Sequence, residues 1–120
     1  MNHIGLIGRM TREPCLRKTP SGACVLNFTL AVERRQGGER SVDFIDCIAW
    51  NQTAEFIAQR FGKGTRMGVE GNLHSYQRED KTGERKKIME VVTKRVYFAD
   101  SPRNTIATTQ AMTIDNPLCR

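Results

Sequence analysis

No two of the four cysteines stand in a CxxC pair, and the two histidines, His3 and His74, lie close to none of them in the sequence. Structural zinc sites draw on closely spaced Cys and His ligands, so no bound metal is expected. No apolar run approaches the length of a bilayer span, and the opening Met1-Asn2-His3-Ile4-Gly5-Leu6 lacks a basic segment followed by an apolar one. A soluble, cytoplasmic protein without membrane contact is expected. There is no GxxxxGK[ST] loop to cradle a triphosphate, so no energy source or cofactor is expected. Internal repeats and a second domain are missing too, and 120 residues is a single-domain length. Aromatic residues are scarce at 7%, with one Trp, so any role for flat rings falls to a few positions.

Positive charge is plentiful. Against 13 Asp and Glu stand 19 Lys and Arg, a formal net charge of +6, which favours a polyanionic partner or an anionic surface. A basic but merely solvated face would have the same composition. Cys24 and Cys47 fall inside apolar alternating runs, where a free thiol behaves as a small buried hydrophobe, so a reducing compartment suits them.

The most informative stretch is Val42-Asp43-Phe44-Ile45-Asp46-Cys47-Ile48-Ala49-Trp50. Side chains of a strand alternate between faces, so Val42, Phe44, Asp46, Ile48 and Trp50 share one face and Asp43, Ile45, Cys47 and Ala49 the other. Phe44 and the only Trp thus stand on one side of one ribbon, each within two residues of a polar group. On an accessible sheet they would be stacking platforms, whereas the plainer reading makes both rings core.

The rest of the chain supplies the setting. Residues 3–10 alternate as a first strand, Ile4, Leu6, Gly8 and Met10 against His3, Gly5, Ile7 and Arg9. A loop, Thr11 to Ser21, carries Arg12, Arg17 and Lys18, and Pro20 and Gly22 shape its closing turn. Ala23 to Arg34 is a half-buried strand with Leu26, Phe28 and Leu30 in the core. The polar link Arg34-Arg35-Gln36-Gly37-Gly38-Glu39-Arg40 makes a hairpin with the aromatic strand. The period then changes. Ala54, Ile57, Ala58 and Phe61 form the stripe of a short helix, with Asn51 or Thr53 as cap, Glu55 in its first turn and Gly62-Lys63-Gly64 at its end. Arg66 to Arg78 alternates again, Met67, Val69, Gly71 and Leu73 inward, Glu70, His74, Tyr76 and Arg78 outward. A charged loop from Glu79 to Arg85 leads to the last strand, Lys86 to Phe98. From Asp100 on, polar residues without periodicity suggest a mobile tail.

Three strands, one helix and two strands, joined by basic hairpin loops, match the order of an all-β, five-stranded OB-fold barrel, a fold whose strand face and loops bind oligonucleotides. The wording is more specific than the order. Asn2-His3-Ile4-Gly5-Leu6-Ile7-Gly8-Arg9-Met10-Thr11-Arg12-Glu13-Pro14, Thr19-Pro20-Ser21-Gly22, Phe28-Thr29-Leu30-Ala31-Val32, Asp43-Phe44-Ile45 through Trp50, Lys63-Gly64, Val69-Glu70-Gly71-Asn72-Leu73, Gly83 and Glu90-Val91-Val92 closely resemble bacterial-type single-stranded DNA-binding proteins. The likeness covers roughly residues 1–98.

The resemblance implies an OB domain over residues 1–99, with a short polar tail over 100–120, that assembles as a homotetramer. It further implies sequence-independent protection of single-stranded DNA in replication, recombination or repair, without catalysis. Phe44 and Trp50 match DNA-contacting aromatic positions of the family. Two positions depart: Gln36 and Arg78 stand where relatives often carry rings, and Tyr76, on the face of Arg78, is expected to compensate in part. The expected contacts are Phe44, Trp50 and Tyr76 for bases and Arg9, Arg12, Arg34, Arg35, Arg78, Lys86 and Lys87 for phosphates. The end, Thr113 to Arg120, has one acid and a terminal Arg, so recruitment of partners through an acidic tip is not implied. Two other readings compete. In a nuclease, Asp43 and Asp46 would have to hold a metal together, but they lie on opposite faces of their strand, and Glu70 with His74 reads as a solvated pair. A protein-interaction OB module with weak DNA binding would fit the departures at Gln36 and Arg78.

Overall fold

The computed structural model describes residues 1–100; the segment after them, most of the expected tail, lies outside the described residues. Five long strands, β1 (Ile4–Met10), β3 (Cys24–Gln36), β4 (Glu39–Trp50), β5 (Arg66–Glu79) and β6 (Arg85–Phe98), are joined by the two-residue β2 (Arg17–Lys18) and one helix, α1 (Asn51–Arg60). Strand β1 pairs with β5 on one side and, through Arg9 and Met10, with Ala31 and Leu30 of β3 on the other. The sheet order β1-β5-β6-β4-β3 therefore closes on itself, with β2 appended to β3. The expected all-β barrel with one helix forms, in the arrangement of an OB fold.

Alternation decides what fills it. Leu26, Leu30, Met67, Val69 and Val91 are at most 1% exposed, each from the inward row of its strand. Closure brings backbones close. A Cβ on Gly8 would stand 2.7 Å from the carbonyl oxygen of Ala31, and one on Gly71 would stand 1.9 Å from that of Val92, so neither position has room for a side chain. Beside Gly71 the register shifts: Glu70 faces Arg95 while Gly71 faces Thr93, leaving Lys94 as the extra residue of a β-bulge. A bulge reverses which side chains point inward. Val91 and Thr93 are buried before it, and Val96 packs against the core after it.

Helix α1 plugs the barrel with its expected stripe, burying Ala54 and Ile57, while Phe61 just beyond it stacks on Phe98 at a centroid distance of 4.5 Å. Its ends differ from expectation. No side chain caps the helix, and it stops at Arg60 because Phe61 is already extended. Asn51 is itself the first helical residue, in a left-handed conformation with φ 50°, and its Oδ1 accepts the Cys24 amide at 3.2 Å. Glu55 accepts the Cys24 thiol at 3.3 Å. Both residues serve β3 instead of the helix end.

Three other expectations change. The loop from Thr11 to Ser21 contains β2, because Arg17 pairs with Val25 and Lys18 with Cys24. The polar link of seven residues is mostly strand, since pairing of β3 with β4 runs out to Gln36 and Glu39 and leaves Gly37-Gly38 as a two-residue turn. Leu73, expected inward, is 39% exposed: past Gly71, β5 pairs with β6 alone and leaves the barrel.

Candidate nucleic-acid interface

Two hairpin arms project from the barrel, the outer halves of β3–β4 and of β5–β6, and residues 33–42 of the first are all exposed. The aromatic strand β4 keeps its alternation from arm to barrel. Cys47 and Ala49 are 1% and 0% exposed, whereas Phe44 is 68% and Trp50 43% exposed. Both rings thus lie outside the core, which settles the choice between core and surface for this chain.

Partners opposed across a sheet share a face. Ala31 stands beside Phe44, Thr29 beside Asp46, Asn27 beside Ile48 and Val25 beside Trp50, and β2 adds Arg17 next to Val25. Arg17, Val25 and Trp50 are therefore abreast on three strands, and the Arg17 guanidinium donates to Asn27 Oδ1. On the other side of β4, Ile48 pairs with Val92 of β6, which places Glu90 and Ile88 on the same outer surface. Their partners on β5 are His74 and Tyr76. The His74 and Tyr76 rings stack at 5.6 Å. An open groove of about 350 Å³ joins these pieces, lined by Arg12, Asn27, Thr29 and Asp46 from one side and Tyr76, Arg78, Ile88 and Glu90 from the other.

The structure brings Phe44, Trp50, Tyr76, Arg12 and Arg78 onto this one surface. Arg35 shares the outer row of β3, and Lys86 is opposite Arg78, so both extend it along the arms. Arg34 and Lys87 do not join it: each is the strand neighbour of an outward residue and points to the reverse side, Arg34 to an ion pair with Asp43 at 3.3 Å. Arg9 is abreast of Ala31 on the outer wall, but its guanidinium donates to the Gly64 carbonyl at 2.9 Å and lies 3.8 Å from Asp100. Gln36 sits at the tip of the β3–β4 arm, opposite Glu39. Two cations on this surface are not among the expected contacts, Arg17 and Arg40, the latter opposite Arg35 on the outer row of β4 and 3.8 Å from Glu33. Nothing in a loop-like segment signals that Arg17 pairs with β3. Glu70 is paired not with His74 but with His3 at 3.5 Å and with the Tyr97 hydroxyl at 2.5 Å.

Beneath the groove, burial above all, with Asp46 and Glu90 adding to it, pushes the Cys47 thiol from its ordinary 9.0 up to about 12. The hydrogen bond to Glu55 and then burial raise that of Cys24. At the β5–β6 tip, Asp80 accepts from the Thr82 hydroxyl at 2.6 Å and from the amides of Thr82 and Glu84 at 2.9 and 3.0 Å, which holds its carboxyl below the usual range. That turn keeps Lys86 3.9 Å from Asp80.

A second surface lies where β1, β5 and the end of β6 run together. Ile7, Gly68 and Tyr97 are abreast, and Ile7, Tyr97 and Phe98 are 55%, 47% and 50% exposed. Contiguous exposed apolar groups of this kind mark interaction sites.

Comparison with known proteins adds relatives to this geometry. Residues 1–99 match the model of the single-strand binding protein family. The chain is 42% identical over 109 residues to single-stranded DNA-binding protein 2 of Listeria monocytogenes, covering 88% of this chain and 68% of that protein. It is 46% identical to single-stranded DNA-binding protein 2 of Listeria innocua, over 87% of this chain and 67% of that protein. Against single-stranded DNA-binding protein A of Bacillus subtilis the identity is 43%, over 87% of this chain and 62% of that protein.

Proposed function

Since the chain belongs to the single-strand binding protein family, we propose that it binds and protects single-stranded DNA with little dependence on sequence, and that the outer surface of β3, β4 and the β5–β6 arm is where the strand lies. The observation that carries the reading is the exposure of Phe44 and Trp50 in one row of β4. Stacking of a base on an aromatic ring contributes roughly 1 to 3 kcal/mol and accepts any base, since every base has a π-face. Only unpaired bases offer that face to Phe44, Trp50 and Tyr76, so single strands are selected over duplex. Arg12, Arg17, Arg78, Arg35 and Lys86 neutralise phosphates along the same path, a contribution that weakens as salt rises. Residues 1–99 suffice for this. No catalytic step is assigned.

The apolar surface around Ile7, Tyr97 and Phe98 supports assembly as a homotetramer. It is separate from the groove, so copies can join through it while each keeps its DNA surface open. Closed homo-oligomers commonly cover such faces.

The test is a titration of oligo-dT monitored by Trp50 fluorescence, with a duplex of the same length as competitor. The single Trp gives the signal one source. Quenching on binding, and single strands bound much more tightly than duplex, are expected; equal affinity for the two at moderate salt refutes the proposal.

A further inference from the structure

The groove expected to hold a polyanion contains two acids. Asp46 projects from β4 two residues from Phe44 and four from Trp50, on their face, and Glu90 lines the groove from β6. Among the described residues, neither carboxylate has a cation within 4.0 Å, although Arg12 and Arg78 line the same groove. Asp46 is exposed and held in place: the Thr29 hydroxyl, opposite it on β3, donates to Oδ1 at 3.1 Å. Oδ2 has no hydrogen-bond partner among the described residues.

An ionised carboxylate accepts hydrogen bonds and donates none. A phosphate facing it is repelled, so a strand in this groove sets its phosphates against the arginines and its bases toward Asp46. A base stacked on Phe44 is within reach, because side chains two residues apart on one face of a strand stand about 6.7 Å apart. What meets the carboxylate is then the edge of an unpaired base, open to hydrogen bonding in a single strand. Cytosine presents an amino group at position 4, a donor that carboxylates accept. Thymine presents a carbonyl there, and its one ring N–H lies between two carbonyl oxygens that the carboxylate repels.

We propose that Asp46, oriented by Thr29, is a base-selecting residue that tilts binding toward strands whose bases carry an exocyclic amino group, cytosine over thymine. The tilt is superposed on sequence-tolerant stacking and rests on the proposed single-strand binding; it reads composition and not base order.

Oligo-dC and oligo-dT of equal length, end-labelled so that the readout does not depend on Trp50, are titrated against the full chain and against Asp46→Asn and Thr29→Val. The asparagine keeps the shape of the side chain but both donates and accepts. The expected result is that the ratio of Kd for dT to Kd for dC falls roughly fivefold in Asp46→Asn, within the range of one base-edge contact, and falls part of the way in Thr29→Val. An Asp46→Asn protein that binds both oligomers more tightly by the same factor shows simple phosphate repulsion and overturns the proposal, as does an unchanged ratio with unchanged affinities. Failure of the unsubstituted chain to bind either oligomer refutes single-strand binding itself, a different outcome from binding both with a ratio that ignores Asp46.

Discussion

Trp50 and the cations around it differ in how replaceable they are. An exposed arginine facing a phosphate adds a screened increment that neighbouring cations in a protein of charge +6 partly cover, whereas among the described residues no second ring packs against Trp50. Trp50→Ala is expected to weaken oligo-dT binding by about 1 to 3 kcal/mol with little change in salt dependence. Because the ring is 43% exposed, the thermal midpoint should move little; a folded variant that binds normally would remove Trp50 from the interface. Cys47 makes a separate prediction. Its folded-state pKa is raised from 9.0 to about 12, so the folded protein keeps a proton that the unfolded chain releases. The stability linked to it is complete below pH 9.0 and is lost as pH rises toward 12, because the unfolded state then gains by ionising. Denaturant melts at increasing alkaline pH should show the decline, and Cys47→Ala should lessen it. Alkylation of Cys47 at pH 8 should require unfolding, as a buried thiol far from ionisation is inert.

The arms act as elements because a strand hands successive residues to opposite sides. Arg78 and Lys86 share the groove side of the β5–β6 arm, while Lys87 is opposite Gln77 on the reverse. Each phosphate contact to a single strand adds about 0.7 to the slope of log K against log salt. Arg12→Ala and Arg78→Ala are each expected to flatten that slope by about this amount, and Lys87→Ala to leave it unchanged. Equal flattening by all three would mean that the strand wraps both sides of the arm. The bulge at Lys94 has a comparable effect within the barrel: it reverses the alternation of β6, so that Val91 and Val96 both reach the core and Tyr97 is left outside.

The described residues carry two exposed surfaces on different walls of one barrel, a polar groove with rings and an apolar face at β1. Their separation gives an assembly prediction. Light scattering of the intact chain at micromolar concentration should give the mass of a tetramer, and Ile7→Glu, which places a charge in the middle of the apolar face, should lower it. A monomer mass for the unsubstituted chain would rule out the assembly. A tetramer unaffected by Ile7→Glu would move the interface elsewhere.

Alternation in β1, β3, β4 and the first half of β5 can be read directly from the residues, because a period of two leaves each side chain one face and the apolar ones choose the inside. That reading yields the barrel strands, the core leucines and the common face of Phe44 and Trp50. The stripe of Ala54, Ile57 and Phe61 likewise announces the helix. Local pattern could not say that Asn51 and Glu55 would serve Cys24 in place of the helix end, since that depends on where β3 passes. Nor could it place Arg17 in line with Trp50, across Val25, because a two-residue strand has no period and exists only through its pairing with Val25 and Cys24. Adjacent arginines and lysines look equivalent in one dimension. Three-dimensional pairing turns Arg35 and Lys86 to the groove side of the arms and Arg34 and Lys87 to the reverse, and exposes Leu73 by carrying β5 beyond the strands that would have covered it.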